Sequence, residues 1–232
     1  MKEENKQKYK SVLYFLEGVL GKNYEIVLHV KEGEQFYIEE IVNGHVSNRD
    51  TSSPITDLGL KFYRDKLYLD EVFITNYDVQ TPDAKPIQGS TFFLKDENGD
   101  LEGMICINHD YSDYQKITDS IKNLTSAMGS MDIFGKTPNE NKDIDKGDTN
   151  FEGERAVEIL SNNISDTISA FIDPALLDQV DLNTDMKMKI ISELDEQGIF
   201  NIKGSVAQVA SKLNISESSV YRYIKMVEKN AL

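Results

Sequence analysis

The sequence predicts an α+β protein: an antiparallel sheet with covering helices, then a helical connector, then a trihelical C-terminal domain. Three observations carry that expectation. Apolar, β-branched runs of strand length fill residues 24–108, punctuated by Gly33 and by Asn98-Gly99. The stretch GKTPNENKDIDKGDTN (135–150) interrupts all periodicity with Pro, Gly, Asn and spaced charges. After residue 183, three apolar stripes recur at helical period. The 232 residues suffice for one large or two small domains, and two are expected.

The first element is an amphipathic helix through Val12, Phe15, Leu16, Val19 and Leu20, ending near Gly21. YEIVLHV and QFYIEEIVNGHVS read as strands, with Gly33 between them and Asn43-Gly44 as a turn signal. In SSPITDLGLKFYRDKL, Ser53 is placed as the N-cap of a helix, Pro54 at its first position, and Leu58 and Phe62 on its apolar face. GSTFFLKDENGDLEGMICIN reads as a hairpin turning at Asn98-Gly99, where positive φ is needed. A helix through Ile117, Ile121 and Leu124 follows. These elements assign residues 1–131 to one domain and 132–150 to a polar linker. Residues 151–182 are assigned to a helical connector because Val157, Leu160, Ile164, Ile168 and Phe171 fall three or four apart before Pro174. That seam suits either core burial or a dimer contact.

Residues 183–232 give the most specific spacing. Thr184 and Asp185 open a helix with a Met188, Ile191, Leu194 stripe, and Gly198 suits its left-handed end. Ser205 and Gln208 are spaced as a capping box for a second helix buried through Val206, Val209, Ala210 and Leu213. Asn214, which tolerates a left-handed backbone, makes the turn, and Ser216 caps the third helix. There Val220, Tyr223, Ile224 and Val227 share one face, while Ser218, Arg222, Lys225 and Lys229 share the other with Tyr221 at its flank. This is the pattern of a helix-turn-helix whose last helix reads duplex DNA. The net charge of −15 runs against that, but from Ile199 onward there are 5 basic residues against 2 acidic. Screening limits the reach of distant charge to about 8 Å at physiological salt, so local charge decides.

The stretches EIVLH, IVNGHVS, SPITDLGLKF, STFFLKDENGDLEGMICIN and KGSVAQVASKLNISESSVYRYIK carry a resemblance that spans nearly the whole chain. The first part resembles the YheO-like PAS domain, and the last part the DauR-type helix-turn-helix that accompanies it in bacterial regulators. The chain departs from the pattern at His109-Asp110-Tyr111 and at Asn214, where Gly is common. The resemblance implies a PAS-like sensory domain and a DNA-binding transcriptional regulator, with some relatives repressing amino-acid catabolic operons. The expected DNA-binding residues are Ser216, Ser218, Ser219, Tyr221, Arg222, Lys225 and Lys229. A PAS-like sheet encloses its effector beneath covering helices, which makes His29, Asn43, His45, Thr91, Cys106 and Asn108 the candidates for small-molecule contacts. The effector itself is not implied.

Other chemistries are weaker. GSMDIFGKT ends like a phosphate loop but has five residues between its glycines and the wrong helical context. Cys106 and His109 sit at odd separation on a strand, hence on opposite faces. His29, His45 and His109 share no ligand spacing. No enzyme, metal or cofactor is expected. The single cysteine fits a reducing compartment, and no apolar run approaches a membrane span, so the expectation is a cytoplasmic homo-oligomer that binds double-stranded DNA.

Overall fold

The computed structural model describes residues 1–81, 84–127, 157–161, 163–172 and 182–230. Helix α1 (Glu3–Leu20) leads into β1 (Tyr24–Glu32) and β2 (Gln35–Val42), then α2 (Asp57–Arg64), a 3-10 turn (Leu67–Leu69), β3 (Phe73–Gln80), β4 (Ile87–Lys95), β5 (Leu101–Asp110) and α3 (Ser112–Ala127). Beyond the 128–156 stretch come β6 (Val157–Ile159), α4 (Ile164–Phe171), α5 (Thr184–Glu196), a second 3-10 turn (Ile199–Asn201), α6 (Ser205–Lys212) and α7 (Glu217–Asn230). The six strands lie in the order β2-β1-β5-β4-β3-β6, antiparallel except for the β3–β6 pair. The α+β architecture is therefore as expected.

Strand parity divides the apolar residues between two layers. Ile26, Leu28, Val30, Val42, Leu94 and Ile105 form one layer with Leu13 of α1. Val27, Phe36, Tyr77, Phe93, Met104 and Cys106 face the other way, onto α2 and the C-terminal helices. That second layer is continuous, since Ile191, Leu194, Val206, Val209 and Val220 belong to the same buried cluster as the sheet. The sheet and the C-terminal unit also join through backbone. Phe36 of edge strand β2 bridges Ile202, Lys203 N donates to Phe36 O at 3.1 Å, and Asn201 Nδ2 donates to Glu34 O at 2.7 Å. Arg64 Nη1 reaches the Glu196 carbonyl at the end of α5.

Several elements depart from the sequence expectation. The helix expected to start at Ser53 starts at Asp57, because Thr56 caps it by accepting from Gly59 N at 3.1 Å. Ser53 instead accepts from Asp50 N in the preceding turn. The expected capping box at Ser205 is absent: Gly204, at φ 87°, is the N-cap, and the Ser205 side chain is buried. The most consequential difference is in the connector. Val157 to Ile159 is a strand in parallel register with Asp78 to Gln80, so the spacing read as one long helix belongs to a strand and the short helix α4. Edge pairing with β3 satisfies its backbone, which local periodicity does not report. Strand β3 was hidden by a bulge between Thr75 and Tyr77, where Asn76 takes φ 62°.

Candidate functional site

The C-terminal helices place the basic residues outward for a simple reason: the apolar half of α7 is consumed by the core. Val220 and Tyr223 are buried against α5 and α6, so residues on the opposite arc face solvent. Asn214 takes φ 51° in the turn, which lets α7 leave α6 at a sharp angle. Ser216 caps α7 by accepting from Ser219 N at 3.2 Å, and its hydroxyl also contacts those of Ser218 and Ser219 at 2.8 and 2.9 Å. Ser218, Tyr221, Arg222, Lys225 and Met226 line one exposed groove. The Arg222 guanidinium lies 5.1 Å from the centre of the Tyr223 ring, a cation–π contact that limits its rotamers without covering it. Ser216 is exposed and Ser219 half-buried at the rim of this face, while the Lys229 side chain lies outside the described residues. Hydroxyls at a helix N-terminus followed by cations one turn on can bond phosphate oxygens, and the arginine can reach a guanine edge.

A second constellation lies under the sheet. Inward parity on β1 gives Glu25, Val27 and His29, and the register sets Glu25 beside Asn108 and Val27 beside Cys106. Across β5, Asn108 pairs with Gly89 and Cys106 with Thr91. Gly89 is required because the Tyr77 ring folds over it; a Cβ there would come within 2.1 Å of that ring. Tyr77 Oη and Thr91 Oγ1 are 2.8 Å apart, and Thr91 Oγ1 is 3.4 Å from Cys106 Sγ. Glu25 accepts from Ser47 Oγ and, at 2.9 Å, from Asn108 Nδ2. Arg49 donates to the Pro54 carbonyl, and Glu158 of β6 accepts from Thr56 Oγ1 at 2.6 Å.

All these polar groups are buried, with Glu25 at 0%, Arg49 at 5% and Glu158 at 3% exposure. Burial shapes their protonation. It pushes Glu158 up to about 7 against the Thr56 hydroxyl and the Arg49 charge, which favour its ionised form. It lowers His29 to about 3, helped by Arg49, so this imidazole is neutral. It lifts Cys106 to about 12, with the Glu158 charge adding to the effect. Cys106 is therefore expected to resist thiol-disulfide reagents in the native state near pH 8 and to react fully once unfolded; rapid native labelling would contradict its placement.

Of the residues singled out for small-molecule contact, His29, Thr91, Cys106 and Asn108 come together in this cluster. Asn43 does not join it. Its amide donates to the Gly21 and Tyr24 carbonyls at 3.2 and 2.9 Å, tying the following loop to the α1–β1 junction. His45 is exposed on that loop. The loop delivers Ser47 and Arg49, which sequence reasoning passed over, as it did Glu25, Tyr77 and Glu158. Glu25 carried a usable signal, being a charged residue at an inward strand position. Glu158 carried none, because its strand was read as helix. Cys106 and His109 do face opposite ways: His109 stacks on Tyr24 with ring centres 4.1 Å apart. Among the described residues no group of three or more His, Cys, Asp or Glu is arranged to hold a metal, and no helix is long and apolar enough to cross a membrane.

Comparison with known proteins finds two matching family models along the chain. Residues 1–126 match the model of the YheO-like PAS domain, and residues 163–225 match that of a helix-turn-helix (HTH) domain. The chain is 28% identical over 222 residues to an uncharacterized protein of Haemophilus influenzae, covering 95% of this chain and 90% of that one. It is 29% identical over 218 residues to the uncharacterized protein YheO of Escherichia coli K12, covering 94% and 82% of the two chains, and the same figures hold for YheO of Shigella flexneri. A PAS domain joined to a helix-turn-helix domain points to a DNA-binding regulator. With more than half its length matched by that first model, the chain belongs to the family of proteins built on a YheO-like PAS domain.

Proposed function

We propose that this protein is a one-component transcriptional regulator that reads operator DNA with α7 and senses a small molecule at the buried cluster under its sheet. The observation that carries the reading is the division of α7, with Val220 and Tyr223 inside and Ser218, Tyr221, Arg222 and Lys225 on an open face. Repressor action is suggested by the family resemblance, some of whose members repress amino-acid catabolic operons, and cytoplasmic residence by the location of operator DNA. The protein works as a symmetric dimer in this proposal, because one short helix on a chain of charge −15 makes few phosphate contacts and a two-fold doubles them.

The dimer contact falls on α1 and α3. Phe15 and Val19 of α1 are 67% and 64% exposed, and Tyr114, Ile117 and Leu124 of α3 are exposed at near-heptad spacing. The Val157–Phe171 segment, an alternative contact on sequence grounds, spends Leu160 and Ile168 inside the core. Selection of random duplexes by the full chain tests the reading. It is expected to enrich a two-fold symmetric sequence whose half-sites lie about one helical turn apart, with a dimer in sedimentation. Absence of any enriched duplex would overturn it.

A further inference from the structure

The PAS match ends at residue 126 and the helix-turn-helix match begins at 163, yet the stretch between them returns a carboxylate to the sensor. We infer that β6 completes the effector site, and that the site takes a small organic cation of the alkylammonium kind, held between the Glu158 carboxylate and the Asn108 amide oxygen. This rests on the reading of the inner cluster as the effector site and adds to it the ligand class and a residue from outside the sensory domain.

Charge balance gives the class. The cluster sets two carboxylates, Glu25 and Glu158, against one guanidinium, Arg49, all within the core. A buried carboxylate is tolerated when a positive partner and hydrogen bonds compensate its lost hydration. The unused hydrogen-bonding capacity agrees. Glu158 Oε2, Asn108 Oδ1, His29 Nδ1 and Arg49 Nε are buried without a hydrogen-bond partner among the described residues. Asn108 Oδ1 and the ionised Glu158 Oε2 only accept, Nδ1 of a neutral imidazole accepts or donates with its tautomer, and only Arg49 Nε is solely a donor, so a donor-rich occupant fits best. Glu25 is already satisfied, as Ser47 and Asn108 occupy its two oxygens. The Asn108 bond uses its NH2 and leaves the carbonyl end free. Glu158 keeps Oε1 on Thr56, and the Tyr77 hydroxyl interacts with the same carboxylate, so Oε2 is the oxygen left for the occupant.

The placement also couples occupancy to the reader. β6 joins the sheet through the pairs Asp78–Val157, Val79–Glu158 and Gln80–Ile159, continued by Leu160 N donating to Gln80 O at 3.1 Å. Directly after β6, Leu160 is buried in the core shared with the C-terminal helices, and Lys212 Nζ of α6 donates to Ser169 Oγ of α4 at 2.8 Å. A cation bridging Asn108 and Glu158 therefore fixes β6 to β5 and β3, and with it the register of α4 against the reader.

The test uses n-propylammonium, propionamide and propionate, alike in size and different in charge, at equal millimolar concentration and constant ionic strength with the full chain. The ammonium alone is expected to raise the melting temperature, and Glu158→Gln, which keeps an acceptor for Thr56, to fold and lose the response. Wild-type affinity for propylammonium, read by calorimetry, is expected to fall about tenfold per pH unit below about pH 7 as Glu158 takes a proton, and to level off above about pH 8. Glu25, Arg49, Asp57, Tyr77 and Cys106 also act on Glu158, and His29 faces Arg49; burial moves His29 down to about 3, Cys106 up to about 12 and Tyr77 well upward, out of that window. Equal or greater stabilisation by propionate or propionamide overturns the inference. So do an ammonium response retained in Glu158→Gln, a pH-independent affinity, and no ammonium response at all. Duplex binding is scored on the same preparations. Its loss in wild type strikes the regulator reading, whereas its retention without an ammonium response strikes only the ligand class and β6.

Discussion

Arg222→Ala is expected to lower affinity for the selected duplex by roughly 1–3 kcal/mol, about five- to 150-fold, and to relax sequence preference at one position. The effect far exceeds one charge in a chain of net −15. It does so because salt leaves charge effective over only ~8 Å, basic residues outnumber acidic ones 5 to 2 from Ile199 onward, and Arg222 stands in the groove with Ser218, Tyr221 and Lys225. The fold should be untouched, since the side chain is exposed and packs over the Tyr223 ring. Anisotropy titrations on the selected duplex and on single-base variants check the result. Equal loss on every sequence would reassign Arg222 to a phosphate, and no loss at physiological salt would remove it from the interface.

Phe36→Ala is expected to be the most destabilising single change at the junction of the two units, by roughly 3–5 kcal/mol. Phe36 is fully buried, meets Tyr63 edge-on with ring centres 5.1 Å apart, and bridges Ile202 through its backbone. Truncation opens a cavity between sheet and reader that neither side can close, because both faces belong to secondary structure. For a chain of this size the loss corresponds to a fall in melting temperature on the order of 10 °C. Because one buried cluster runs from Val27 to Val220, sensor and reader should melt in a single transition in wild type. Thermal scans followed by tyrosine near-ultraviolet and by far-ultraviolet dichroism decide this. A variant melting like wild type, or a reader melting apart from the sheet, would contradict the shared core.

The sequence made the reader legible because its signals are local. Helix-period stripes, Gly198, Asn214 and Ser216 act within a few residues, and the structure places each near its expected role. The β1–β2 and β4–β5 hairpins were legible for the same reason, through Gly33 and Gly99 at positive φ. What was hidden depends on distant partners. The pairing of β6 with β3 joins residues nearly eighty positions apart, and nothing in Val157 to Leu160 distinguishes an edge strand from a helix. Half the buried cluster was hidden with it. His29, Thr91, Cys106 and Asn108 follow from strand parity, whereas Arg49 and Ser47 arrive on a loop whose course Asn43 fixes, and Glu158 arrives on β6. His45 shows the converse: a chemically suggestive residue in the right segment, one turn of loop away from the interior.

The salt dependence of duplex binding tests the central claim most directly. Equilibrium constants of the full chain for duplex DNA, measured by anisotropy from low to physiological salt, are expected to fall linearly on a logarithmic plot. The slope should shrink by about one in Lys225→Ala, the signature of a lost phosphate contact from the exposed face of α7. An α7 that reads DNA gives that change. Duplex binding that is undetectable at low salt, or a slope unaltered by Lys225→Ala, would contradict the assignment of this helix to DNA.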